Sequence, residues 1–186
     1  MSKKKPIIFF GILVLILILC GLLFFLNSPT TKKTVSQKVP QSNTLKSTVE
    51  GNSLSPLIED GAKVEIQLGY YASTTPTRGE VVAYDYAGKE VPIIKIIKGM
   101  PGDAWRLEKK GNGYHIFVNN QVLKNSEGKE YLISESRSKM LQLYATTYPL
   151  IPQNSCLIMG DQIGGTTDST VFGLVNLSDV LGKVNY

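Results

Sequence analysis

The chain has 186 residues, a net charge of +5 at neutral pH and only two cysteines. Lys3, Lys4 and Lys5 supply three of those charges and the rest is close to balanced, so the broad basic surface that a nucleic-acid partner requires is missing. Cys20 lies inside an apolar run and Cys156 far downstream, which leaves neither CxxC spacing nor a disulfide framework; no metal, no cofactor and no structural disulfide is expected.

Residues 1–5 form a short lysine-rich tail, and Pro6 to Leu26 follow without a single charge. About 20 such residues cross the hydrocarbon core as a helix, so a transmembrane anchor is expected over residues 6–26. A cleavable leader would have a shorter apolar stretch and a small-x-small site, which Asn27-Ser28-Pro29-Thr30 does not supply. Cys20 follows Leu19 and precedes more apolar residues, which reads as a packing or lipid-facing cysteine. The N-terminal lysines outweigh Lys32 and Lys33 on the other flank, so the N-terminus is expected in the cytoplasm and the remainder outside. The expected location is the cell membrane, in a single pass, with the lipid bilayer as a partner.

Residues 27–48 are rich in Ser, Thr, Lys, Gln and Pro, the composition of a linker, and the folded domain is expected over 49–186. Short apolar runs then recur: Val64-Glu65-Ile66, Val81 to Tyr84, Tyr114 to Val118 and Cys156 to Met159. Gly, Pro and Asn separate them, which predicts many short strands. Asn119-Asn120 reads as a hairpin turn, and residues 134–143 as a short helix. There is no internal repeat.

Gly51-Asn52-Ser53-Leu54-Ser55-Pro56 places a serine in a turn, which by composition alone is an ordinary surface loop. Lys95 stands inside Pro92-Ile93-Ile94-Lys95-Ile96-Ile97, where it is either an edge residue facing water or a buried amine. Strand alternation puts it on the face of Ile93 and Ile97, and a buried lysine loses its proton more easily and can act as a base. A serine activated by a neutral lysine is an established alternative to Ser-His-Asp. His115, the single histidine, lies in a strand-like run with no partner motif and is read as an outward strand residue.

Four segments resemble the signal peptidase I family. Val49 to Pro56 resembles its nucleophile motif, and Arg78-Gly79-Glu80-Val81-Val82 its next strand motif. Lys95 to Asp103 resembles the lysine motif, in which the base stands four residues before Gly-Leu-Pro-Gly-Asp. Gly160-Asp161-Gln162 with Asp168-Ser169 resembles the last motif, Gly-Asp-Asn-Arg followed by Asp-Ser-Arg. The segments run in family order across residues 49–175. The resemblance implies a mainly β fold of two antiparallel sheets, Ser53 as nucleophile and Lys95 as general base. It implies preprotein signal peptides as substrates, cut after small residues at the first and third positions before the scissile bond.

The resemblance further implies that the Ser53 N–H holds the oxyanion, with Gly51 lacking the hydroxyl that some relatives add. Asp168 takes the place of a structural aspartate near the lysine, and Thr166 that of a serine contacting it. Leu54 stands where the motif has Met, Ala62 where it has Asp, and Ile163 and Thr170 where it has Arg. Those changes remove charge pairs that brace the site in the family and fit a divergent member with narrowed duty. The competing expectation is a non-cleaving relative that assists surface-protein or pilus assembly. Leu54, Leu57 and Ile58 are expected to form an exposed apolar patch touching the bilayer or the signal peptide.

Overall fold

Two antiparallel sheets form the frame of the fold in the computed structural model, which describes residues 43–88 and 91–186. The anchor expected over 6–26 and the linker up to residue 42 lie outside the described residues. Among those described, no helix is long and apolar enough to cross a membrane.

The larger sheet is built from β1 (Asn43–Thr48), β2 (Lys63–Leu68), β3 (Val81–Tyr84) and β4 (Ile93–Gly99). It is completed by β9 (Ser155–Met159), β10 (Val175–Asn176) and β11 (Val180–Asn185), in the order β1-β2-β11-β3-β4-β9-β10. The smaller sheet contains β5 (Trp105–Lys110), β6 (Gly113–Val118), β7 (Gln121–Val122) and β8 (Leu132–Ser134). There β5 pairs with one edge of β6, while β7 and β8 share the other. Asn119 and Asn120, at φ 48° and 63°, make the left-handed two-residue turn between β6 and β7 that the sequence predicts.

Alternation along the strands divides the apolar side chains into separate cores, because successive residues of a strand point to opposite faces. Val81 and Ala83 join Val64, Ile66, Ile96 and Val184 in one cluster, while Val82 joins Ile97, Cys156, Ile158 and Val175 in another. Strand β9 serves two cores: Cys156 and Ile158 enter the second cluster, and Leu157 and Met159 pack with Trp105, Ile116, Tyr131, Ile133 and Leu141. Leu141 comes from α1 (Glu135–Thr147), whose N-cap Ser134 accepts from the Arg137 N–H. The helix runs four residues past the predicted stretch and stops at Tyr148, since the residue before Pro149 is disfavoured in a helix.

Two expectations are corrected here. Strand β1 begins six residues before Val49, so part of the expected linker belongs to the sheet; its side chains are mostly exposed, which is why its composition reads as linker. The expected apolar patch is not exposed: Leu54 and Ile58 retain 1% and 3% of their accessibility and pack into the core of Val64, Ile66 and Ile96. Leu57 is half-buried against the same cluster. Burying Leu54 is worth roughly 2 kcal/mol and pins the turn that carries Ser53 onto the sheet.

Candidate active site

The turn after β1 is held from several directions. Gly51 takes φ +82°, a conformation that suits glycine, and its N–H donates to Asp60 Oδ1 at 2.8 Å. The Ser55 N–H donates to the Asn52 carbonyl at 3.2 Å, and Ile58 N–H to the Leu54 carbonyl at 3.0 Å. Residues 161 and 162, just past the end of β9, grip the same turn by its carbonyls. Asp161 N–H donates to Ser53 O at 2.8 Å, and Gln162 Nε2 donates to Asn52 O at 3.1 Å and Ser55 O at 2.9 Å. A Cβ on Gly160 would collide with Ser53 O and the Thr166 side chain, so only glycine allows this approach. With its carbonyls taken up in this way, the turn leaves the Ser53 N–H without a protein acceptor among the described residues.

Lys95 reaches Ser53 from β4. Its Nζ lies 3.0 Å from Ser53 Oγ and donates to the Ile94 carbonyl at 2.7 Å. Only 4% of Lys95 is exposed. Burial costs the charged ammonium its hydration and pushes the Lys95 pKa down to about 8, against the opposing field of the Asp168 carboxylate. Two residues 42 apart in sequence thus meet at hydrogen-bond distance, the amine donating to the hydroxyl oxygen; once it has lost its extra proton, the same nitrogen can accept one from that hydroxyl.

Asp168 is fully buried and caps the short helix α2 (Ser169–Phe172). Its Oδ2 accepts from Gly160 N–H (3.0 Å), Thr166 N–H (2.9 Å) and Thr166 Oγ1 (2.7 Å), and its Oδ1 from Thr170 N–H (2.9 Å) and Thr170 Oγ1 (2.7 Å). Five donors replace the water that an ionised buried carboxylate would otherwise lack. The Thr166 hydroxyl is therefore spent on Asp168. Asp161, equally buried, accepts from the backbone and hydroxyl of Ser126 at 2.9 and 2.5 Å. Tyr131 donates its phenol to Gly160 O at 2.5 Å.

The remaining motif residues brace this frame. Arg78 donates to Asp103 Oδ2 and to the Lys98 carbonyl, both at 2.6 Å, tying the second segment to the lysine segment. Glu80 accepts from Lys183 at 2.7 Å, Tyr71 at 3.0 Å and Thr77 N–H at 2.9 Å. His115 is half-buried, with Nδ1 2.8 Å from the Tyr131 carbonyl and Nε2 3.6 Å from Glu130, rather than fully outward. Cys156 is a free thiol whose pKa burial pushes up to about 12, which removes it as a nucleophile. The supporting roles of Gln162, Ser126 and Tyr131 were not expected from sequence. Gln162 and Asn52 are 110 positions apart, and nothing local in either segment marks the contact.

The family description "Signal peptidase, peptidase S26" matches residues 7–186. The chain belongs to that family. It is 28% identical over 148 residues to signal peptidase IB of Staphylococcus aureus, a match covering 75% of this chain and 74% of that protein. It is 24% identical over 142 residues to signal peptidase I of Bacillus caldolyticus, covering 74% and 75% respectively. A crystal structure of a signal peptidase I from Enterococcus faecalis matches with a TM-score of 0.41 and 21% identity, over 59% of this chain and 97% of that one. Membership makes the protein a serine endopeptidase of the signal-peptide-processing class.

Proposed function

We propose that the chain is a membrane-anchored signal peptidase that cleaves exported preproteins with Ser53 as nucleophile and Lys95 as general base. The observation that carries this reading is the 3.0 Å approach of a buried, easily deprotonated Lys95 amine to Ser53 Oγ. In the first step the neutral amine accepts the Ser53 proton as Oγ adds to the scissile carbonyl. The resulting oxyanion is held by the Ser53 N–H, a donor with no competing protein acceptor among the described residues. The Lys95 ammonium then protonates the leaving amine, the C–N bond breaks and an ester to Ser53 remains. Lys95, neutral again, takes a proton from water as it attacks the ester, and gives it back to Ser53 Oγ as the signal-peptide carboxylate departs. The non-cleaving alternative offers no reason for these two side chains to meet at hydrogen-bond distance.

The experiment that tests the function uses the full chain in detergent with a preprotein whose signal peptide ends in small residues. A single cut is expected, with the product's N-terminus at the mature residue; an uncut preprotein or scattered cuts would overturn the reading.

Anchoring is part of the proposal and rests on the uncharged run Pro6 to Leu26 behind Lys3, Lys4 and Lys5. The N-terminus is cytoplasmic and the protease domain extracytoplasmic. Protease added outside wall-stripped intact cells is expected to digest residues beyond Leu26. If the domain survives until the cells are lysed, the orientation is reversed.

A further inference from the structure

Arg137 sits in the first turn of α1, where a positive charge opposes the helix dipole. Among the described residues it has no carboxylate partner within salt-bridge distance, and its guanidinium turns instead toward the segment between Gly160 and Asp168. Its Nη1 donates to the Thr166 carbonyl at 2.6 Å and to Thr170 Oγ1 at 3.1 Å. The Thr170 hydroxyl donates to Asp168 Oδ1 at 2.7 Å, and Thr166 donates from both its N–H and its hydroxyl to Asp168 Oδ2. The arginine thus holds both threonines that close around the buried carboxylate.

The segment it holds has little stiffness of its own. Gly164 and Gly165 are consecutive, and Gly165 takes φ +81°. A Cβ at Gly165 would lie 2.9 Å from Thr170 Oγ1 and 3.5 Å from Arg137 Cδ, so the arginine side chain runs close past this glycine. Asp168 in turn fixes Gly160 N–H, and the next residue, Asp161, fixes the Ser53 carbonyl. One continuous set of hydrogen bonds therefore runs from the start of α1 to the serine turn.

We propose that Arg137 is a positioning residue for the Ser53–Lys95 pair, acting through Thr166, Thr170 and Asp168. It performs from α1 the bracing that Ile163 and Thr170, with no charge, do not supply from within the segment itself. The inference rests on the Ser53–Lys95 reading. Without the guanidinium, Thr166 and Thr170 are free to turn away from Asp168, water enters beside Lys95, and the serine turn loses its fixed distance to the amine. The charged group whose field reaches Lys95 is Asp168, while Asp161 acts on Lys98 and Arg137 touches Thr166 and Thr170.

The test uses the full chain and a preprotein substrate. Arg137→Ala is expected to lower kcat by about 10²-fold, the scale of loss from small displacements of reacting groups, with little change in KM. Water beside Lys95 also moves the break of its kcat/KM profile to higher pH, because hydration favours the ammonium. Arg137→Lys recovers part of the rate, and guanidinium ions added to Arg137→Ala recover part as well. A folded Arg137→Ala enzyme with the wild-type kcat and an unmoved pH break overturns the proposal. So does a rate loss that only mirrors a smaller folded fraction, measured by active-site titration, with neither pH shift nor guanidinium rescue. Ser53→Ala run in parallel separates the two claims: if that variant still cleaves, the pair itself is misassigned, whereas an inactive Ser53→Ala beside an unaffected Arg137→Ala removes only the role of Arg137.

Discussion

Ser53→Ala is expected to lower kcat/KM for preprotein cleavage by a factor on the order of 10⁴ or more, the usual cost of deleting a nucleophile from a unit whose members act together. The domain should stay folded. The Ser53 hydroxyl has Lys95 as its partner, whereas the turn is held by backbone and by other side chains: Asp161 N–H on the Ser53 carbonyl, Gln162 on those of Asn52 and Ser55, and Leu54 and Ile58 in the core. None of these contacts involves Oγ, so thermal unfolding should move little. Ser55 is the informative control, two residues away in the same turn. Its hydroxyl donates to Glu59 at 2.7 Å instead of facing Lys95, and Ser55→Ala should keep its activity. Cleavage by Ser53→Ala at a rate near that of the unaltered chain, or loss of activity confined to Ser55→Ala, would mean the wrong serine has been chosen.

What could be read from the chain divides along physical lines. Strands β2, β3, β6 and β9 announce themselves because alternating or continuous apolar residues must be buried, and the Asn119-Asn120 turn because those residues tolerate positive φ. Strand β1 does not, since an edge strand of Asn, Thr, Lys and Ser buries little and is held by backbone pairing with β2. Leu54 and Ile58 were legible as apolar but not as buried: flanked by Asn52, Ser55 and Pro56 they look like a surface loop until the sheet that covers them is in view. In the site, motifs single out Ser53 and Lys95, and the fold brings the two side chains to hydrogen-bond distance. The bonds that set their distance were not, because Gln162, Arg137 and Tyr131 act across long sequence separations through single donors, and single donors leave no pattern. The departures Ile163 and Thr170 marked missing charge, and only the fold brings Arg137 to Thr170.

Lys95→Arg is expected to disable the enzyme, although it keeps the positive charge. The argument begins with protonation. At the ordinary lysine pKa about one amine in 3,000 is neutral at pH 7, whereas a pKa of about 8 leaves roughly one in ten neutral. The cause is burial, which strips water from the ammonium; the Asp168 field opposes it and keeps the pKa from falling further. Only the neutral amine accepts the Ser53 proton. For the unaltered enzyme, kcat/KM should therefore rise about tenfold per pH unit below the break and level off above pH about 8, since it reports groups of the free enzyme. A guanidinium stays protonated throughout this range, so Lys95→Arg should show a loss on the order of 10³-fold or more at every pH, with no alkaline recovery. His115 is held by the Tyr131 carbonyl and faces Glu130, and His115→Ala should leave both limbs of the profile in place. An active Lys95→Arg enzyme, or a break in the profile that disappears in His115→Ala, would assign the base elsewhere.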